Sequence, residues 1–419
     1  MADRWTGLLN VGLRSLTLGI RFLFIFFLAR YLDPASLGYY GLFTATVGYC
    51  LYFVGLDFYV YVTREILKAP EGIRGQLLKA QAALSGLLIL AVFLIAVLLL
   101  PRAGWPGHLV WWFMPILLFE YLNQEIYRLL IVLSKQITAS LLLFMRQGSW
   151  ALAIIALMAG IPESRDIDTV MALWCAAGGM TAALGIWTIV RLRFGGWHMS
   201  VDWGWVKRGI NISLAFLVAT VALRGIQTID RYWLEALGGI ETVGAYVLFF
   251  GMASALMTFL DAGVFAFGYP ALIRHHHAGE HDEARALSRR MLAQTIAVSS
   301  GFAVISWLVL PYLLDWIGNP IYRDRIYFYP WLLLAMVLNA LGMVPHYTLY
   351  AKGHDRPIIY SHLAALAAFV LFTLALAPKM AEFAVPIALN AAFALVLIWK
   401  SIAYLLLGRA GRNATPKSS

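Results

Sequence analysis

Four arginines sit deep inside the apolar runs of this 419-residue chain: Arg14 and Arg21 in the first run, Arg146 in the fifth and Arg224 in the seventh. A charged side chain at the centre of a membrane helix costs about 2.5–3.5 kcal/mol on insertion scales, so it marks a cavity, a partner or a site. A guanidinium carries its donors in a planar fork that matches phosphate oxygens. A low-dielectric cavity lined by several such forks would hold a phosphate or diphosphate head and repel a cation. In the first run Asn10, Arg14, Thr17 and Arg21 are spaced by four, three and four residues, which places them on one helical face. Ser213, Thr220, Arg224, Gln227 and Arg231 share one face of the seventh run in the same way. Arg14, Arg146 and Arg224 lie too deep to snorkel and are read as lining one shared cationic cavity, with Arg21 guiding entry or exit. The competing possibility is that each pairs with a membrane acid, drawn from Asp57, Glu120, Glu125, Asp230 and Asp261; Arg128 can reach Glu125 at i, i+3, and Arg231 beside Asp230 is placed at the outer interface.

Asp57 and Asp261 fall near corresponding ends of two similar hairpins and are the candidates for binding a coupling ion, with proton and sodium both open. His275, His276 and His277 form a tract that could take a metal, but no acid or cysteine ligand pattern accompanies it, so no metal site is expected. His346 and Asn339 are seven residues apart in the tenth run; a packed histidine is preferred there over a proton relay. The tyrosines of the second run, among them Tyr52 and Tyr59 on one face, suit an interfacial belt or stacking on sugar rings. Cys50 and Cys175 read as small buried apolar residues. No phosphate-binding glycine loop, zinc motif or nucleophile elbow occurs, and no cofactor is expected.

These residues need membrane helices to position them. The chain is 61% hydrophobic and only 13% charged, with a mean hydropathy of +0.76. About 20 apolar residues make one spanning helix. The pattern predicts twelve spans, near 7–30, 37–61, 80–100, 108–131, 137–160, 169–191, 209–232, 242–270, 291–315, 327–350, 357–378 and 383–407. The fold expected is therefore an all-α polytopic membrane protein: a six-helix bundle over 1–195, a cytoplasmic linker over 196–208, a second six-helix bundle over 209–408 and a cytoplasmic tail over 409–419. Lysine and arginine crowd the loops on the side of the termini, in groups such as Arg64, Lys68, Arg74 and Lys79, or Arg274, Arg285, Arg289 and Arg290. The opposite side holds only Arg30, Arg102, Arg165, Arg231, Arg323, Arg325 and Lys379. That bias puts both termini in the cytoplasm. It also accounts for most of the net charge of +10, so no nucleic-acid partner is needed. Residues 31–68 and 236–274 are alike, with Gly38 and Tyr40 matching Gly244 and Tyr246 at an offset of 206. Six spans per half make the repeat parallel, with a substrate path between the two bundles.

The stretch LARYLDPASLGYYGLFTATVGYCLYFVGLDFYVYVTRE at 28–65 resembles the first hairpin of the Wzx-type polysaccharide and O-antigen flippases. Those proteins belong to the multidrug/oligosaccharidyl-lipid/polysaccharide exporter superfamily. IDRYWLEALGGIETVGAY at 229–246 and GYPALIRHHHAGEHDEARALSRRML at 268–292 resemble the seventh-to-ninth-span region of the same proteins. The resemblance implies two six-helix bundles around a V-shaped central cavity. It implies alternating-access translocation of an undecaprenyl-diphosphate-linked oligosaccharide to the periplasmic leaflet of the bacterial inner membrane, driven by an ion gradient. The substrate and the bilayer would be its partners, with other polysaccharide-assembly membrane proteins left open, and the protein would not be an enzyme. A multidrug or cation antiporter of the same superfamily is the first alternative, and a membrane-bound glycan polymerase or transferase the second.

Overall fold

A computed structural model describes the backbone of residues 2–413 and the side chains of residue 10, residues 12–214 and residues 217–407. All regular structure among these residues is helical, in twelve long rods and a few short helices between them. In chain order they are Ala2–Tyr31, Pro34–Gly55, Glu71–Leu99, Gly107–Val132, Gln136–Gly160, Ile167–Arg191, Trp203–Gly238, Ile240–His277, His281–Ile317, Phe328–Ala351, Asp355–Met380 and Ala384–Asn413. The number of rods equals the number of expected spans. Nine of the described stretches are individually long and apolar enough to cross a membrane. The fourth rod is more polar, because it carries Glu120, Asn123, Gln124, Glu125 and Arg128. The protein is thus a multi-pass membrane protein.

The sequence breaks become caps. Asp33 accepts a hydrogen bond from the Ser36 amide at 2.9 Å, with Pro34 opening the second helix behind it. Asp166 caps the sixth helix through the Thr169 amide at 2.8 Å. The rods also outrun the expected spans. The third begins at Glu71 and the ninth at His281, because the charged stretches before their apolar segments are themselves helical. Leucines such as Leu87, Leu90, Leu94 and Leu98 of the third helix, and Val304, Ile305 and Leu308 of the ninth, point outward, as a lipid-facing surface requires.

Two of the rods break where the repeat aligns them. After Gly55 the chain turns through Leu56 and Asp57, both left-handed at φ 48° and 50°, before a short helix Tyr59–Lys68. Left-handed backbone at a non-glycine residue is strained and persists only where its surroundings enforce it. The eighth helix instead widens into a π turn at Asp261–Phe265. The offset of 206 sets Asp57 against Gly263, inside that turn. A second π turn, Met145–Ser149, interrupts the fifth helix. Such turns free carbonyls and re-aim side chains, and they gather at functional positions.

The chain divides into two compact units, Met1–Val221 and Ala222–Ser419. This division falls inside the seventh helix, beyond the expected linker at 196–208. The linker packs onto the first unit, which explains the difference. The Gly75 amide donates to the Gly195 carbonyl at 2.8 Å, Lys79 donates to the carbonyls of Trp197 and Met199, and Trp205 is buried against Phe58 and Tyr61. Of the expected tail at 409–419, residues up to Asn413 continue the twelfth helix, and 414–419 lie outside the described residues. The first unit is built on aromatic packing, with Phe43 among Trp105, Phe113 and Trp174. The second buries Tyr246, Phe249, Phe328 and Tyr329 completely.

The linker contact is testable. A Cβ on Gly75 would lie 2.6 Å from the Gly195 carbonyl oxygen and 2.8 Å from the Trp197 ring. Gly75→Ala is expected to destabilise the detergent-solubilised protein by about 1–3 kcal/mol through overpacking. Gly301→Ala, in a helix with no atom within 4 Å of the new methyl, should stabilise by a few tenths up to about 1 kcal/mol. Thermal unfolding of both variants reads the contrast.

Candidate functional site

The first helix presents the polar face that its spacing predicts, and the fifth helix receives it. Arg14, half-buried, donates from Nε to the Ser140 hydroxyl at 3.3 Å, and Ser140 donates in turn to the Asn10 side-chain oxygen. Arg21, exposed, donates from Nη1 to Oε1 of Gln147 at 3.0 Å. The partners advance together, 14 with 140 and 21 with 147, so the first and fifth helices run parallel. Three rods lie between them, and an odd number of intervening crossings brings the chain back in the same direction. Among the described residues, no carboxylate lies within ion-pair distance of Arg14 or Arg21. Both guanidinium charges are held only by neutral oxygens.

Arg146 behaves otherwise and takes the competing arrangement, a pair with a membrane acid. The π turn at 145–149 sends Arg146 inward while its neighbour Gln147 meets the first helix. Arg146 donates from Nε to Oε2 of Glu120 at 2.9 Å, with a second contact from Nη2 to the same oxygen. The other carboxylate oxygen accepts from the Trp174 indole at 2.8 Å. Trp150 donates to the Arg146 carbonyl at 2.8 Å, and its ring stacks on Trp174. Arginine and glutamate are each 8% exposed. Arg146 is therefore a neutralised internal pair and offers no open charge to a ligand.

Arg224 lies in the second unit, exposed, with Nη1 donating to Oε1 of Gln227 at 3.1 Å. It repeats the Arg21 arrangement: an arginine satisfied by a glutamine amide oxygen, with no carboxylate at ion-pair distance among the described residues. Arg231 is 9% exposed and paired at 3.1 Å with a fully buried Asp230, which also accepts from Tyr246 at 2.7 Å. The predicted residues thus fall into three settings. Arg14 and Arg21 share one seam, Arg146 is internally paired, and Arg224 stands in the other unit.

The acids also separate. Asp57, on the strained turn, is half-buried and accepts a hydrogen bond from Thr220. Beside that turn, Arg128 pairs with Glu125, as its spacing allows, and lies over the Tyr59 ring at 3.6 Å; Gln81 donates to the other Glu125 oxygen at 2.6 Å. Asp261 is exposed at the start of its π turn in the second unit. His275 pairs with Glu280 at 2.6 Å, and the described residues contain no metal-binding cluster.

One constellation escapes the sequence reading. His346 does not meet Asn339. Its Nδ1 lies 3.2 Å from Nζ of Lys400, which also lies 3.0 Å from Nε2 of His362. The available signal was Lys400 itself, a lone lysine in the last apolar run.

The family model described as "Polysaccharide biosynthesis protein" matches residues 7–264. Three solved structures are similar in fold. An inward-facing multidrug resistance MATE family transporter of the MOP superfamily is 13% identical with a TM-score of 0.76, over 96% of this chain and 99% of that one. The lipid II flippase MurJ, inward closed, is 10% identical with a TM-score of 0.72, over 94% and 87%. A MOP superfamily transporter from Pyrococcus furiosus, described as having a binding pocket of reverse polarity, is 13% identical with a TM-score of 0.56, over 96% and 94%. The fold is accordingly that of the MOP superfamily transporters. No curated protein sequence matches the chain.

The Glu120–Arg146 pair predicts a non-additive cycle. Glu120→Gln leaves a buried guanidinium without its counter-charge and should cost about 3–5 kcal/mol, whereas Glu120→Gln combined with Arg146→Met should recover most of it. Thermal or denaturant unfolding of the two single variants and the double variant measures the coupling.

Proposed function

The chain belongs to the polysaccharide biosynthesis protein family, and from that premise we propose that it is a flippase for an undecaprenyl-diphosphate-linked oligosaccharide. The substrate would be an O-antigen or exopolysaccharide repeat unit, carried from the cytoplasmic to the periplasmic leaflet of a bacterial inner membrane, with both termini cytoplasmic. The observation that carries the reading is the pair Arg14 and Arg21. Two guanidinium groups stand on one face of the first helix with only neutral oxygens against them. A phosphate oxygen forms stronger, charge-assisted bonds than Ser140 or Gln147, so a diphosphate head can displace them. Two helical turns, about 10 Å, separate the two arginines, which is more than one diphosphate head spans. They act as successive stations along a path, and Arg224, likewise held by a neutral oxygen, is assigned to substrate binding within the second unit. The glycan crosses on the polar side while the prenyl chain stays in lipid.

A multidrug or cation exporter would need an acid on this face to hold a cation. The first helix places Asn10, Arg14, Thr17 and Arg21 there instead. A glycan polymerase would need an outer domain, and the connections between rods are too short to form one. Coupling to a proton or sodium gradient is assigned to Asp57 and Asp261, each at a helix break where freed backbone oxygens are available.

Reconstituted vesicles loaded with a fluorescent undecaprenyl-diphosphate oligosaccharide test the proposal. Arg14→Ala and Arg21→Ala should each slow translocation roughly ten- to a hundred-fold, the worth of about 1.5–3 kcal/mol for a charged hydrogen bond, with lysine variants in between. Wild-type rates in both alanine variants would refute it. Asp57→Asn and Asp261→Asn should remove acceleration by an imposed proton or sodium gradient while leaving basal movement; unchanged acceleration would strip both acids of the coupling role.

A further inference from the structure

Deep in the second unit a lysine and two histidines meet. Lys400 is 2% exposed and His362 6%. The Lys400 Nζ lies 3.2 Å from His346 Nδ1 and 3.0 Å from His362 Nε2, and the two imidazoles stack at 6.1 Å with only 8° between their planes. The three residues come from three helices, the tenth, eleventh and twelfth. Among the described residues no carboxylate lies within ion-pair distance of Lys400 or His346. Burying an ammonium without a counter-charge is costly, and a methionine would fill the space at no such cost. Intramembrane ionisable groups that pair with one another mark ion or proton paths by default.

We propose that Lys400, His346 and His362 form a proton-binding site in the second unit, in which one mobile proton is shared among three bases. Lys400 as an ammonium donates to both ring nitrogens, which must then be bare. If an imidazole takes the proton, Lys400 becomes an amine and accepts from it. Either way each base keeps a partner, and only a proton moves over about 3 Å. A second proton places like charges side by side in a dry setting and strains the packing of the three helices. The tenth helix is prepared to yield there, since Pro345, directly before His346, removes one of its backbone hydrogen bonds. His346 sits five residues from the end of its helix, about 7–8 Å from the turn at 352–354, so the proton path to that surface is short.

Other titratable groups approach the cluster from the neighbouring helices. The tenth helix adds Tyr347, whose ring lies 5.5 Å from His346. The eighth helix presents Tyr269 to Tyr347 at 4.9 Å, and Asp261 acts on that same tyrosine. The ninth presents Ser288 to Thr348 at 3.2 Å. On the twelfth, Tyr404 lies one turn beyond Lys400 with Lys352 over its ring at 5.0 Å.

The proposal is independent of what the protein carries, and the experiment keeps the two apart. Thermal unfolding of the detergent-solubilised full chain is followed between about pH 5 and 8, the range in which histidine titrates. Wild type should lose stability as the pH falls, and both Lys400→Met and the double variant His346→Gln/His362→Gln should lose that dependence while remaining folded at the upper end. In vesicles carrying the fluorescent lipid-linked probe, an imposed pH gradient should accelerate wild type and leave Lys400→Met at its basal rate. An unchanged pH profile of unfolding in both variants overturns the site, as does a Lys400→Met variant that responds to the gradient as wild type does. If wild type does not move the probe at all, the substrate reading fails, and the unfolding profile still decides whether the proton site exists.

Discussion

Hydrocarbon offers no hydrogen-bond partners, so every charge inside a spanning helix must be answered from within the protein or face a polar space. That constraint sorts the arginines of this chain. Arg146 is answered completely: both oxygens of Glu120 are engaged, the tryptophan pair closes around it, and a π turn is spent to bring it there. Arg231 is answered by a carboxylate with no exposure at all. Arg14, Arg21 and Arg224 are not answered by any acid at ion-pair distance among the described residues. A charge left over after this sorting is the strongest pointer to a ligand of opposite sign.

The same constraint shapes the backbone. Three of the helices that carry internal charge are interrupted near it. The fifth opens where Arg146 must turn toward Glu120. The second ends on Leu56 and Asp57, both left-handed, and the eighth widens at Asp261. The two latter breaks coincide when the halves are aligned, although one is a left-handed turn and the other a π turn. A weak sequence likeness thus conceals a firmer one in helix geometry, with both units interrupting the second helix of their repeated hairpin.

Much of this was legible in the sequence. Apolar run length revealed twelve rods, and the Asp33–Pro34 and Asp166 breaks worked as caps. The spacing of Arg14 and Arg21 placed them on one face because helical periodicity is a local property. What escaped depends on distant pairing. Arg146 and Arg14 look alike as residues in apolar runs, and only the fold shows that Glu120 neutralises the first. Lys400, His346 and His362 are far apart along the chain and share no spacing. The hold of Gly75 and Lys79 on the segment at 195–199 is hidden for a similar reason, since it cannot be seen in the composition of that segment.

The account turns on whether the unpaired guanidinium charges select an anionic head. The most direct measurement is the affinity of the detergent-solubilised full chain for a short-chain prenyl diphosphate, set against the prenol of the same length. The diphosphate should bind at least about tenfold more tightly, a difference of roughly 1.4 kcal/mol, and added salt should narrow the gap. Equal binding of the diphosphate and the uncharged alcohol would contradict the account.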